Sequence, residues 1–147
     1  MSAKKLRSKK RSDANSSQPL EPFVLYLDRN LGNHIIAGAL RAEGHLVEIH
    51  DDHLPIDAPD EDWIQLCSDR NWIAVTKDKN IRYRSAEIDT IMAYRARVIV
   101  IRAKNATGQD IAELLVSHHR RLKRYSEATP APFVAGIDRS GNISTYK

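Results

Sequence analysis

The sequence predicts an α/β fold: a three-layer α/β/α arrangement around an open, mostly parallel sheet, closed by a C-terminal β-hairpin. Three observations lead there. Short apolar runs alternate with amphipathic segments, strand then helix, four times over. The last two apolar runs instead flank Asp138, Arg139, Ser140, Gly141 and Asn142, a composition suited to a hairpin turn. Polar islands lie just past the ends of the apolar runs or at helix starts, where an open parallel sheet gathers its carboxyl ends along one edge.

In chain order, Phe23, Val24, Leu25, Tyr26 and Leu27 form a run short and apolar enough for a buried strand. A helix is expected over 31–43, with Ile35, Ile36, Ala39 and Leu40 on its inner face and Gly44 as its cap. A second strand covers 46–50. A helix over 60–70 presents Trp63, Ile64, Leu66 and Cys67, followed by a strand over 72–75. The next helix, about 85–95, buries Ile88, Ile91 and Met92 before the β-branched strand 97–101. Thr107 and Asp110 have capping-box spacing, and Ile111, Leu114, Leu115, His118, Leu122 and Tyr125 recur at the period of one long helix. On that helix His118 takes the apolar face and His119 points elsewhere. Strands over 133–137 and 143–146 complete the hairpin.

A chain of 147 residues with 41% hydrophobic content is long enough for one domain with a sizeable core. Residues 1–20 net +5, and since the whole chain is +4, residues 21–147 net −1. The tail lacks aromatic and β-branched residues and is expected to be a disordered basic extension preceding a domain over 21–147. Its charge suits either sequence-independent attraction to nucleic acid or a solubility or targeting role. The single cysteine, Cys67, excludes an internal disulfide and a cysteine-rich zinc site, and is expected to be a small buried side chain. No apolar run approaches a membrane span, so a cytoplasmic location and no membrane association are expected.

The chemistry resides in the polar islands. Asp28, with Asn30 two residues on, follows the first strand; a carboxylate there points over the sheet edge unless it serves as a helix cap. Asp51 and Asp52 follow the second strand. Asp60, Glu61 and Asp62 fill a helix first turn, favourable to the macrodipole yet mutually repulsive, a repulsion that a bound cation relieves. Thr76, Lys77, Asp78, Lys79 and Asn80 end the third strand, which sets Asp78 beside Asp28 if the first and third strands are neighbours. The threonine hydroxyl is placed to orient a carboxylate, and the lysines to attract phosphate. His50 and His53 flank Asp51 and Asp52, but strand and loop positions argue against ligation. Trp63 and Trp72 occupy apolar positions and read as core anchors rather than base-stacking platforms.

Strand, Asp-x-Asn-Leu, then Asp-Glu-x-Trp opening a helix, then a strand ending Thr-x-Asp-Lys-x-Ile, resembles the PIN-like ribonuclease superfamily, in particular the small branch related to VapC-type toxins and Mut7-C nuclease domains. The likeness spans residues 23–137. It implies a similar fold and a cluster of about four acids holding Mg²⁺ or Mn²⁺. Carried over, Asp28 is the strand-end acid, Asp60 the helix-start acid with Glu61 and Asp62 as competitors, and Asp78 the Thr-x-Asp acid. Where many relatives have a further acid, this chain has Asn80, so the site runs on three carboxylates, or Glu87 substitutes, or the site binds without cutting.

The implied activity is metal-dependent hydrolysis of RNA phosphodiester bonds, with Asp28, Asp60 and Asp78 catalytic and Thr76, Asn30, Asn80 and Glu87 in support. Lys77, Lys79, Arg82 and Arg84 are the candidates for substrate phosphate. By the same resemblance, the chain is the toxin of a toxin–antitoxin pair, with RNA as substrate, a cognate antitoxin as partner and homodimerisation. Two other readings stand beside it: a catalytically silent nucleic-acid or protein-binding module, and a receiver-like phosphoacceptor domain, which the contiguity of Thr76, Lys77 and Asp78 disfavours.

Overall fold

The computed structural model describes residues 20–31 and 34–147, the side chain of Arg82 excepted. The expectations for residues 1–19, for the helix start at Gly32 and Asn33, and for Arg82 as a phosphate contact lie outside the described residues. Leu20, assigned to the tail by sequence, is buried at 8% exposure and packs into the core.

The elements are β1 (Val24–Leu27), α1 (His34–Ala42), β2 (Leu46–Ile49), α2 (Asp60–Arg70), β3 (Ile73–Thr76), α3 (Ser85–Tyr94), β4 (Arg97–Arg102), α4 (Gly108–Ser117), α5 (His119–Ala128), β5 (Phe133–Asp138) and β6 (Ile143–Thr145). Short 3-10 turns at Arg29–Leu31, His50–Asp52 and Lys79–Tyr83 follow β1, β2 and β3. The strands form one six-stranded sheet in the order β2-β1-β3-β4-β5-β6, parallel except for the β5–β6 pair. This is the α/β architecture the sequence predicts.

Both faces of the sheet are covered, which is why the central strands are almost wholly apolar. Leu25, Leu27, Ile73, Val75, Ile99 and Ile101 alternate onto the face that packs α1, α4 and α5. Tyr26, Ala74, Val98 and Val100 face α2 and α3, where Trp63, Ile64, Cys67 and Ile91 are buried. Tyr26 stacks between Trp63 and Trp72 at centroid distances of 6.4 and 6.0 Å, so both tryptophans are core residues. Cys67 is a free, fully buried thiol.

Three helices end alike. Gly44, Asn71 and Arg95 adopt φ of +82°, +58° and +59°, and the next residue's amide bonds back to Leu40, Cys67 and Ile91 respectively. This Schellman closure turns α1, α2 and α3 sharply back toward the start of the next strand.

Two local expectations are corrected. Ile35 is 52% exposed, and Ile36, Ala37 and Leu40 form the buried stripe of α1. The long helix is two helices: the capping box of Thr107 and Asp110 starts α4 as expected, but His118 leaves the helical region at φ −114°, ψ 18°. The break turns His119 inward, not outward, to stack on His45 at 3.5 Å and meet Phe23 edge-on at 5.2 Å. The apolar period survives because Leu114, Leu115 and Leu122 remain on the same buried side. No helix among the described residues is long and apolar enough to cross a membrane.

Candidate functional site

Connections run to opposite sides of the sheet from β1 and β3, so their carboxyl ends border the crevice where open α/β sheets place ligands. Leu27 pairs with Val75, and the Asp28 amide extends the ladder by donating to the Val75 carbonyl at 3.0 Å. Asp28 therefore lies alongside Thr76. The Thr76 hydroxyl, 1% exposed, donates to Asp28 Oδ2 at 2.8 Å and accepts from the Asp78 amide at 3.1 Å. One buried hydroxyl thus fixes two of the acids.

Asp78 opens the 3-10 turn Lys79–Tyr83, its Oδ1 accepting from the Asn80 amide at 3.1 Å. Its Oδ2 accepts from Arg84 Nη1 at 2.5 Å, and the same nitrogen donates to Glu87 Oε2 at 3.1 Å. These two carboxylates hold the guanidinium above its ordinary pKa. Glu87, on the first turn of α3, is raised chiefly by burial, opposed by its bond with Arg84 and raised further by the adjoining Asp60. Asp60 in turn accepts from Trp63 Nε1 at 2.9 Å. A core tryptophan three residues on therefore aims this carboxylate.

The first turn of α2 divides its acids. Asp60 turns to Glu87, whereas Glu61 accepts from the Tyr94 hydroxyl at 2.9 Å. The Glu61 carboxylate, first through this hydrogen bond, holds the Tyr94 phenol above its ordinary range. Of the three first-turn acids, Asp60 thus engages Trp63 and Glu61 engages Tyr94. Loop geometry delivers α2 to the crevice: His50 Nε2 donates to the Pro55 carbonyl at 2.8 Å, and Arg29 donates to the Ile56 carbonyl.

His50 is no metal ligand here. A carbonyl only accepts, so Nε2 carries the proton and Nδ1 accepts from the Tyr26 hydroxyl at 2.7 Å. His53 bonds Glu48 at 2.7 Å. Burial first, then the Cys67 thiol, Asp28 and Asp51, drive the Tyr26 phenol far above its ordinary range. Asp51 therefore adds negative potential at the same end of the core, although Asp51 and Asp52 themselves are exposed.

The expected acids lie in series: Asp28 is linked to Asp78 through Thr76 and Asp78 to Glu87 through Arg84, with Asp60 near enough to Glu87 to raise its pKa. They do not meet at one point. Among the described residues, no three His, Cys, Asp or Glu side chains are grouped so as to hold a metal ion. In kind, the donor set suits a hard divalent cation, being carboxylate oxygen without imidazole or thiolate. In this arrangement Arg84 supplies the positive charge between Asp78 and Glu87. Arg84 is thus engaged with protein acids rather than standing free for phosphate, while Lys77, Lys79, Asn30 and Asn80 are exposed at the rim.

Sequence reasoning missed the roles of Trp63 and Tyr94 in sorting the first-turn acids. The Asp-x-x-Trp spacing was the available signal, since residues three apart share a helix face.

A family model described as a PIN like domain matches residues 23–103, from just before β1 to just after β4, and so includes Asp28, Asp60, Asp78 and Glu87. No curated protein and no solved structure matches the chain.

Proposed function

The chain belongs to the PIN-like domain family, whose members are generally nucleases, and on that premise we propose that it is a metal-dependent endoribonuclease. The observation that carries the proposal is the Asp28–Thr76–Asp78 bridge at the carboxyl ends of β1 and β3. It supports a site in which Asp28 and Asp78 would be the first ligands of Mg²⁺ or Mn²⁺, with Asp60 and Glu87, which do not converge with them in this arrangement, drawn in by the ion and Glu87 in place of the acid that Asn80 does not supply. When bound, the ion would neutralise charge on the phosphodiester and activate the attacking water.

The chain's own residues prepare that chemistry. Thr76 fixes Asp28 through its Oδ2. Trp63 fixes Asp60 through Oδ1. Arg84 pairs with both Asp78 and Glu87 and so occupies the position between them that a cation would take. Lys77 and Lys79 add positive potential at the rim.

A second reading, a catalytically silent RNA- or protein-binding module, is favoured by one observation: Arg84 already neutralises the acid pair. Labelled single-stranded RNA incubated with the protein in Mn²⁺ or Mg²⁺ separates the two. The nuclease reading expects internal cleavage that is abolished by chelation and reduced about a hundredfold or more in Asp78→Asn, in keeping with the several kcal/mol a metal contributes. Binding without products under every metal condition leaves the silent module.

A further inference from the structure

Ile99 and Ile101 of β4 face α1, α4 and α5, and the alternation of a strand sets Arg97 on that same side. Its register neighbours are Ile73 on β3 and Phe133 on β5, both buried. An arginine thus begins an otherwise apolar row. On α5, Ser126 continues the buried side one turn after Leu122 and is 2% exposed. Arg97 Nε and Ser126 Oγ are both buried without a hydrogen-bond partner among the described residues. Each such group carries an uncompensated desolvation cost.

Both side chains line a cavity of about 530 Å³ at the amino ends of β4 and β5. The C-terminal ends of α2, α3 and α5 enclose it through Asn71, Arg95 and Thr129, the residues that follow each helix. Arg95 Nη2 donates to the Ala131 carbonyl at 2.6 Å, which ties its guanidinium to the segment between α5 and β5. Around the cavity two guanidiniums stand against one carboxylate, Glu127, whose Oε2 already accepts from the Leu20 amide at 3.0 Å. Neither arginine pairs with an acid among the described residues. Burial first, then the charge of Arg95, lower the Arg97 pKa from its ordinary value. An anion held here relieves that repulsion and supplies the missing acceptor.

We propose that this cavity is a binding site for a small phosphate monoester of nucleotide size, on the edge of the sheet opposite the acids at the carboxyl ends of β1 and β3. Its donors come from three separate elements: Arg97 on β4, Arg95 after α3 and Ser126 on α5. Such a set suits a tetrahedral phosphate, whose oxygens accept from several directions, better than a planar carboxylate. The cavity lies within the roughly 300–1,000 Å³ of small-molecule sites and exceeds what a bare phosphate fills. Asn71 and Thr129 offer the amide and hydroxyl groups that bond sugar hydroxyls. Binding here requires none of the four acids, so it stands apart from the nuclease reading.

The test is isothermal titration calorimetry of the full chain in chelator, with uridine monophosphate, inorganic phosphate and uridine as separate probes. The monophosphate should bind at one site per chain, about tenfold or more tightly than inorganic phosphate, and uridine should give no heat. Arg97→Gln should weaken monophosphate binding about tenfold or more and Ser126→Ala about fivefold, the range for hydrogen bonds to a charged group. Arg95→Gln, at an exposed position, should weaken it comparably with circular dichroism unchanged, so the test survives a folding defect in either buried variant. The Lys77→Gln, Lys79→Gln double variant, at the other edge, should bind as wild type does. Wild-type affinity in all three cavity variants, or no heat from uridine monophosphate, would overturn the proposal. So would loss of binding in the double lysine variant alone, which would put the phosphate at the rim of the acid site. Equal affinity for inorganic phosphate and the monophosphate would overturn the monoester assignment in favour of the free ion.

Discussion

Thr76 donates its hydroxyl to Asp28 across the junction of two parallel strands, joining residues 48 positions apart in the chain at 2.8 Å. The same oxygen accepts the Asp78 amide, so a side chain 1% exposed sets the spacing of two exposed-edge acids. Strand register produces this: Leu27 opposite Val75 makes the next residues neighbours, and Asp and Thr are the residues there.

Thr76→Val keeps the shape and removes both bonds. It should lower stability by about 1 kcal/mol, measured by urea denaturation. RNA cleavage should fall further than stability alone explains, while Thr76→Ser retains it. Full cleavage by the valine variant would show that the bridge has no functional part.

Arg84→Gln leaves Asp78 and Glu87 without their counter-charge. Mn²⁺ titrated by calorimetry should bind about fivefold more tightly than to wild type, the equivalent of the roughly 1 kcal/mol an exposed ion pair contributes. Weaker Mn²⁺ binding in this variant would mean that Arg84 helps to build the site instead of competing with the cation.

Burial, then His45 and Lys123, push the His119 imidazole down to about 4. The unfolded chain takes up that proton near the ordinary 6.5, so it binds more protons than the folded chain between those values. Stability is therefore full above pH 6.5, falls as pH drops toward 4, and levels off below it. Because the ring is only half buried, the loss should be on the order of 1 to 2 kcal/mol. Urea denaturation at pH 7.5 and 4.5 should show His119→Leu losing less stability across the interval than wild type. An identical loss would place the titration elsewhere.

Much of the fold was legible because its signals are local. Short apolar runs, such as the one read over 72–75 and found as the strand Ile73–Thr76, and capping pairs such as Thr107 with Asp110 read directly from composition and spacing. The Asp28, Thr76 and Asp78 neighbourhood followed once β1 and β3 were taken as adjacent. What was not legible depends on partners distant in sequence. The apolar period runs through the break at His118, so periodicity alone gave one helix, and only the His45 and Phe23 rings explain why His119 turns in. Ile35 and Ile36 are equivalent by hydropathy, and packing on α4 decides between them. Asp60, Glu61 and Asp62 differ only in what faces them, Glu87 for the first and Tyr94 for the second. Arg84 read as a free cation, because its two acid partners had no sequence signature of pairing.

The most direct measurement is transcriptome-wide mapping of new RNA ends in cells expressing the wild-type chain or Asp28→Ala at equal levels. Removing Asp28 deletes the Thr76 acceptor and one proposed cation ligand while leaving α5 and the core intact. Cleavage sites present with wild type and missing with Asp28→Ala are the predicted result. Matching end profiles in the two cultures would contradict a hydrolytic role for the acids gathered at β1 and β3.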